Sequence, residues 1–268
     1  MFLETRKYTW RMSSTPGRHP CAASTMKRAI ILNAVFVTGM MTPLSDQGRN
    51  ESSEKTPKKK RGTCETTHEA PSLMVRDLKT AGLWPEVEQN ERDLLLAERV
   101  SERQRIGASW LAESITCLLW ALRMIQELPA YDQEADPSFV GQLSSITELV
   151  QRAKLRSKKE IEKQRQIAEV WHWRARTRYL QEQGRFDESQ GGPTIEQIIE
   201  RTATRCAGIG LLPNLIAGDF PALGKPYRDI SPDEYGILSS ISLERHKAFN
   251  WLCGYSPTGR WEDTRTDT

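Results

Sequence analysis

The strongest hydrophobic pattern in the chain predicts a long helix near its middle. Apolar side chains recur there at intervals of three and four residues, the period of an α-helix, at Leu111, Ile115, Leu118, Leu122 and Ile125. Trp110, Cys117 and Trp120 add apolar character to the neighbouring faces. A helix that is apolar around most of its circumference belongs inside a bundle, so we predict a central helix over 103–128, ended by Pro129.

Capping sequences predict three further helices, over 157–184, 194–210 and 231–254. The first two begin with Ser or Thr followed three residues later by Glu or Gln, and the third begins Ser-Pro-Asp-Glu. No convincing run of alternating strand residues is present in the sequence. The predicted fold class is therefore all-α, a compact, bundle-like domain of several helices with a disordered N-terminal extension.

The sequence predicts two parts. Residues 1–72 form a disordered or targeting extension and a linker, and residues 73–268 form a helical domain. Residues 42–72 are rich in Ser, Thr, Pro, Lys and Glu, which favours disorder. Upstream, an apolar run at 29–37 follows Met26-Lys27-Arg28 and has the outline of a signal peptide, but it is shorter than the about 20 residues that span a bilayer. We expect a cytoplasmic protein without a transmembrane segment, and export through a signal-like segment beginning at Met26 is the alternative.

Charge is distributed unevenly along the chain. The 268 residues have a formal net charge of +3, but residues 1–70 hold 12 Lys and Arg against 6 Asp and Glu, and the remainder holds 26 against 29. The positive surplus therefore lies outside the predicted folded part, so a nucleic-acid partner is not expected. The basic run at 58–61 is interpreted as part of a solvated tail.

Five cysteines, which form no C-x-x-C pair, favour buried free thiols in a reducing compartment. No metal site and no cofactor is expected from their spacing. A loop over 218–225 superficially resembles a phosphate-binding loop. Five residues rather than four separate its glycines, and Pro226 stands where a Ser or Thr would bind magnesium, so nucleotide binding is rejected.

Several short motifs resemble those of the domain-of-unknown-function 4272 family. They are Trp110-x-x-Glu113, Leu119-Trp120-Ala121-Leu122, Leu155-Arg156-Ser157, Gly218-Asp219-Phe220-Pro221, Glu244-Arg245-His246, Asn250-Trp251-Leu252, Trp261-Glu262-Asp263 and Thr266-Asp267-Thr268. The resemblance spans roughly residues 73–268 and implies a helical, mainly bacterial family without an established substrate, cofactor or catalytic residue. The chain departs from the family pattern at Arg123, where a Gly is usual, and at Glu262, where an Asp is usual.

Two polar residues within the apolar helices are candidates for chemistry. Glu113 lies on the buried central helix and must be paired or protonated, with Arg245 or Arg156 as its expected partner. Such a pair is typical of a clamp between helices, and acid–base catalysis is the alternative. His246, which shares a helical face with Asn250, is interpreted in the same way, as a structural hydrogen-bonding residue or else as a general base or metal ligand. His172 is expected at the edge of its helix.

The function favoured by the sequence is a non-catalytic binding or interaction domain whose partner is another protein. The alternative is an enzyme, possibly a hydrolase, that uses Glu113, His246 and the acidic C-terminal segment. The candidate binding or structural residues are Trp110, Glu113, Trp120, Arg156, Arg245, His246, Asn250, Trp251, Trp261, Asp263 and Asp267. We also expect the terminal segment 261–268 to dock beside His246 and Asn250, with Arg245 or His246 donating to its carboxylates.

Overall fold

A computed structural model describes residues 19–45, 69–138, 146–185 and 192–268. Helices dominate these residues, which confirms the all-α fold class. In chain order they are α1 (Ala22–Met41), α2 (Glu69–Thr80), α3 (Gln89–Leu95), α4 (Glu102–Ala121), α5 (Ile146–Arg152), α6 (Lys158–Glu182), α7 (Ile195–Gly208) and α8 (Pro232–Leu252). A short antiparallel hairpin of β1 (Pro221–Ala222) and β2 (Lys225–Pro226) lies between α7 and α8.

The predicted capping boxes begin three of these helices. Ser157, Thr194 and Ser231 each accept a hydrogen bond from the backbone amide three residues later, at the starts of α6, α7 and α8. These interactions are local in sequence, so the predicted starts of all three helices are confirmed. A fourth box, from Ser101 to Gln104, begins α4 and was missed.

The central helix is shorter than its apolar pattern predicted. Helix α4 ends at Ala121, and Arg123 takes a left-handed backbone conformation with φ of 63°. The amide of Met124 then donates to the carbonyl of Leu119, which completes a Schellman motif. The predicted end at residue 128 is therefore wrong, because the chain reverses six residues before Pro129.

Helix α1, which precedes the predicted domain boundary at residue 73, belongs to the core. Its residues Met26, Ile30 and Ile31 are buried with apolar side chains of α2, α3 and α4. Arg28, read as part of a signal-like start, donates to Glu91 at 2.7 Å in a buried salt bridge. Of the predicted linker at 42–72, residues 46–68, which include the basic run at 58–61, lie outside the described residues, and residues 69–72 belong to α2.

Helix α4 lies between α1 and α8, and α8 in turn packs against α6. One apolar cluster joins α4, α6, α7 and α8, and a second joins α1, α2, α3 and the start of α4. Where α1 crosses α4, Gly39 meets Ala108 so closely that a Cβ added to Gly39 would lie 2.3 Å from the Ala108 Cβ. In the described part of the chain, no helix has both the length and the apolar character needed to cross a bilayer.

Candidate functional site

Glu113 and Arg245 form a buried ion pair between α4 and α8. The Arg245 Nε donates to Glu113 Oε2 at 2.8 Å, and the Ala135 amide donates to Glu113 Oε1 at 2.6 Å. Arg245 is 0% exposed and Glu113 is 2% exposed. Both carboxylate oxygens are thus engaged inside the protein, as expected of a clamp between helices.

The same arginine fixes the loop that follows α4. Its Nη1 donates to the carbonyls of Pro129 at 2.7 Å and Ala130 at 3.1 Å, and its Nη2 donates to that of Gln133 at 2.9 Å. The guanidinium also lies 4.9 Å from the centre of the Tyr131 ring. The loop over 129–135 therefore has a defined shape that depends on one charged side chain of α8.

Arg156, the other expected partner of Glu113, serves a different purpose. Its guanidinium donates to the carbonyls of Trp120 at 2.8 Å, Ile125 at 3.1 Å and Gln126 at 3.0 Å. It also lies 4.6 Å from the Trp120 ring centre. Of the two partners expected for Glu113, Arg245 therefore forms the pair, whereas Arg156 binds carbonyl groups at and just beyond the end of α4.

His246 is bonded to two other buried side chains. Its Nδ1 lies 2.9 Å from the Nδ1 of His172, and its Nε2 lies 2.9 Å from the amide nitrogen of Asn250. The same amide nitrogen donates to the carbonyl of Arg265 at 2.7 Å, which assigns it as a donor. His246 therefore accepts at Nε2 and carries its proton at Nδ1, which it donates to His172.

Burial keeps both imidazoles neutral. It lowers the pKa of His172 to about 4, with a smaller contribution from the charge of Arg176. The pKa of His246 lies well below its usual value, because of burial first and then of the nearby His172 and Arg165. The expected edge position of His172 is wrong, since this side chain is only 8% exposed and packs against α8.

The residues of the enzyme alternative are not brought into one site. Glu113 is held by Arg245 and the backbone, whereas His246 has both ring nitrogens engaged with His172 and Asn250. Among the acids of the tail, Asp263 accepts from Thr258. The described residues hold no group of three or more His, Cys, Asp or Glu that could bind a metal ion.

The terminal segment docks on the domain as expected, but through other contacts. Trp261 is buried and lies edge-on to Trp251, with ring centres 5.7 Å apart. The amides of Trp261 and Glu262 donate to the carboxylate of Glu88 at 2.6 and 2.9 Å. The expected donation from Arg245 or His246 is wrong, because both are already bonded elsewhere. The direction of the contact is also reversed, since the segment donates through its backbone amides to Glu88 at the start of α3.

Asp219 of the rejected phosphate loop is a structural anchor. Arg174 of α6 donates to both of its carboxylate oxygens at 2.7 Å, and the amides of Phe220 and Arg228 donate to them as well. Burial alone would raise the pKa of Asp219, but the hydrogen bond and the charge of Arg174 bring that pKa below its usual value. An ionised, buried carboxylate at this point shapes the loop.

A cleft opens where α1, α4 and the loop after α4 meet. It has a volume of about 180 Å³. Its larger apolar side chains are Phe36 and Met40 of α1, Trp110 of α4, and Pro137 of the loop. Ile106, one helical turn before Trp110, is 52% exposed and Met40 is 43% exposed, so the apolar surface extends along both helices.

The wall formed by the loop is acidic. Residues 129–138 contain three carboxylates and no Lys or Arg. Asp132 accepts from the Leu223 amide and Asp136 accepts from the Ser138 amide. Glu134 lines the cleft, is exposed and has no hydrogen-bond or ion-pair partner among the described residues. Of the sequence candidates, only Trp110 and Glu113 lie at this cleft.

Sequence reasoning did not identify the cleft. Its signals were weak but present, because Phe36 and Met40 are four residues apart, as are Ile106 and Trp110, and each pair therefore shares a helical face. That these two faces adjoin depends on the crossing of α1 over α4, and α1 was expected to lie outside the core.

The fold and these side chains define a helical domain with a fixed, acidic-walled cleft, and comparison with known families places it more narrowly. The model of the family described as "Domain of unknown function (DUF4272)" matches residues 18–201. The chain belongs to this family. The match begins with α1, which agrees with the place of that helix in the core, and the motifs from Gly218 onwards lie beyond the matched residues. The family carries no assigned activity, and no curated protein or solved structure gives a significant match.

Proposed function

We propose that this protein is a non-catalytic binding domain that recognises another protein through the cleft between α1 and α4. The observation that carries the proposal is the cleft itself, in which half-buried aromatic rings stand beside exposed apolar side chains and an unpaired carboxylate. Aromatic residues and Met are enriched in protein interfaces, and a contiguous exposed apolar surface with a polar rim is typical of a docking site.

The cleft is built before any partner arrives. The loop that supplies Glu134 and Pro137 is fixed by the Glu113–Arg245 pair and by the bonds from Arg245 to three loop carbonyls. A fixed wall reduces the conformational entropy that binding must overcome. In a binding protein, the buried ion pair would therefore shape the cleft and would need no catalytic role.

The charge of the loop selects the kind of partner. Its carboxylates favour a basic segment that presents an apolar face, since complementary charge speeds encounter and excludes acidic partners. The same carboxylates repel phosphate groups, which agrees with the expectation that the partner is not a nucleic acid. The enzyme alternative gains no support, because Glu113 and His246 are both held in internal hydrogen bonds.

Site-specific photo-crosslinking in the native host tests the proposal. Benzoylphenylalanine replaces Met40 in the cleft and, as a matched control, Tyr179, which is 48% exposed on α6. We expect a discrete protein adduct from position 40 that disappears in the Trp110→Ala background and is not formed from position 179. Adducts that are the same from both positions, or absent from position 40, would contradict a recognition site in the cleft.

We also propose a cytoplasmic location. Cleavage of the signal-like segment would remove α1, whose apolar residues are buried against three other helices. The buried thiols of Cys117, Cys206 and Cys253 are free, as in a reducing compartment. The intact mass of the protein isolated from its host should include residues 22–41, and a mature chain that begins after residue 41 would support the export alternative instead.

A further inference from the structure

We infer that the cleft receives a positively charged group on an apolar stem, namely a lysine or arginine side chain of the partner protein. This inference rests on the proposed function and specifies the chemistry of the same site. Two independent features of the cleft support it: the composition of its walls and the position of its charge.

The walls suit both parts of such a side chain. Phe36 and Trp110 offer aromatic rings, whose negative faces attract cations. Met40, Ala112 and Pro137 offer apolar surface on which the methylene groups of Lys or Arg can pack while the charged head remains near water. A cation with an apolar stem therefore finds a complementary surface along its whole length.

Of the two carboxylates that line the cleft, one is paired with a cation within the described ranges and the other is not. Glu113, at the inner wall, is neutralised by its bond to Arg245. Glu134 lines the same cleft and has no partner among the described residues, so its carboxylate can accept a charge-assisted hydrogen bond from an incoming ammonium or guanidinium. An anionic side chain would meet repulsion from Glu134.

The size of the cleft limits the ligand to about one side chain. Its volume of about 180 Å³ is well below the roughly 300–1,000 Å³ of a pocket that encloses a drug-sized ligand. That space suits a butyl-length stem with its charged head and is too small to enclose a folded element. The rest of a partner segment would then lie over the exposed Met40 and Ile106.

Nuclear magnetic resonance of the full ¹⁵N-labelled chain can test this chemistry directly. The probes are the capped single residues Nα-acetyl-arginine and Nα-acetyl-lysine N-methylamide, with the capped norleucine as a neutral control of the same stem. Free n-butylguanidinium distinguishes a side chain from a small free cation. The indole signal of Trp110 among the eight tryptophans is identified by its loss in Trp110→Phe.

We expect the capped arginine and lysine to shift the Trp110 indole signal with dissociation constants of about 1 mM, and about fivefold more tightly than norleucine. Glu134→Gln should remove most of that difference without weakening norleucine. Glu127→Gln is the control, because it removes an exposed carboxylate that does not line the cleft. Circular dichroism should be the same for both variants.

Three results would overturn the inference: equal affinity for norleucine, no shift of the Trp110 indole by any probe, or tighter binding of free n-butylguanidinium than of the capped residues. The proposed function fails separately. A protein adduct from position 40 without binding of the probes would leave a docking site of other chemistry, whereas binding of the capped cations without any adduct would leave a cation site without the proposed partner.

Discussion

Acid should destabilise this domain through the His172–His246 pair. The unfolded chain has histidine pKa values of about 6.5, whereas burial lowers that of His172 to about 4 in the folded protein. Below about pH 6.5 the unfolded state therefore binds a proton that the folded state refuses. Stability from this group is complete above the unfolded pKa and is lost as the pH falls towards the folded value.

The size of the effect follows from the difference between the two pKa values of His172. A displacement from about 6.5 to about 4 corresponds to a loss of about 3 kcal/mol in the free energy of unfolding. His246 adds a loss of the same sign, because its pKa is lowered as well. Two imidazolium ions with their Nδ1 atoms 2.9 Å apart would also repel each other.

Urea denaturation of the full chain and of His172→Gln at several values between about pH 7 and about pH 4.5 measures this effect. The buried Glu91 and the half-buried Glu244 have raised pKa values. Their contribution to the stability of the protein therefore decreases as the pH rises, which opposes the trend from the histidines. The variant retains both carboxyls and His246, so the difference between the two curves isolates the contribution of His172, including its coupling to His246. A wild-type loss no larger than that of His172→Gln would refute the buried, neutral pair.

Three further predictions test the fold by denaturation. Gly39→Ala should lower the free energy of unfolding by about 1–2 kcal/mol despite the better helix propensity of Ala, because the new Cβ would lie 2.3 Å from that of Ala108. Adding Ala108→Gly should restore most of the loss. A Gly39→Ala protein more stable than the unmodified chain would contradict the close crossing. Arg123→Gly should raise the free energy of unfolding by about 0.5–1 kcal/mol, because the φ of 63° at this position suits glycine better than arginine. A decrease of similar size would contradict a strained backbone at Arg123. Deletion of residues 261–268 should cost about 2–4 kcal/mol by removing the buried Trp261, and an unchanged midpoint would exclude structural docking.

Local interactions were the part of the fold that the sequence could predict. The starts of α6, α7 and α8 depend on side chains three residues apart, such as Ser157 and Glu160, which the sequence displays directly. The end of α4 was not visible in this way, because Arg123 occupies a left-handed position where glycine is the usual residue. The apolar pattern continues past that point and gives no sign of the reversal.

Long-range contacts account for the remaining errors. The apolar run at 29–37 has no polar face to mark it as a helix of a globular domain, and the residues that bury it follow far along the chain. His172 and His246 are in contact because α6 packs against α8. The contact between Trp261 and Glu88 likewise joins residues that are far apart in the sequence. The cleft needs α1, α4 and the loop after α4 together, so only Trp110 and Glu113 of its lining were among the candidates.

Recognition through the cleft is tested most directly by calorimetry. The protein that crosslinks to position 40 is purified and titrated into the full chain. Met40→Lys places a positive charge at the exposed mouth of the cleft, and Trp110→Ala removes an aromatic wall. We expect each variant to weaken binding by at least about tenfold, whereas Ile209→Ser, which alters an exposed apolar residue near the end of α7, should bind as the unmodified chain does. Full affinity in both cleft variants would contradict the account.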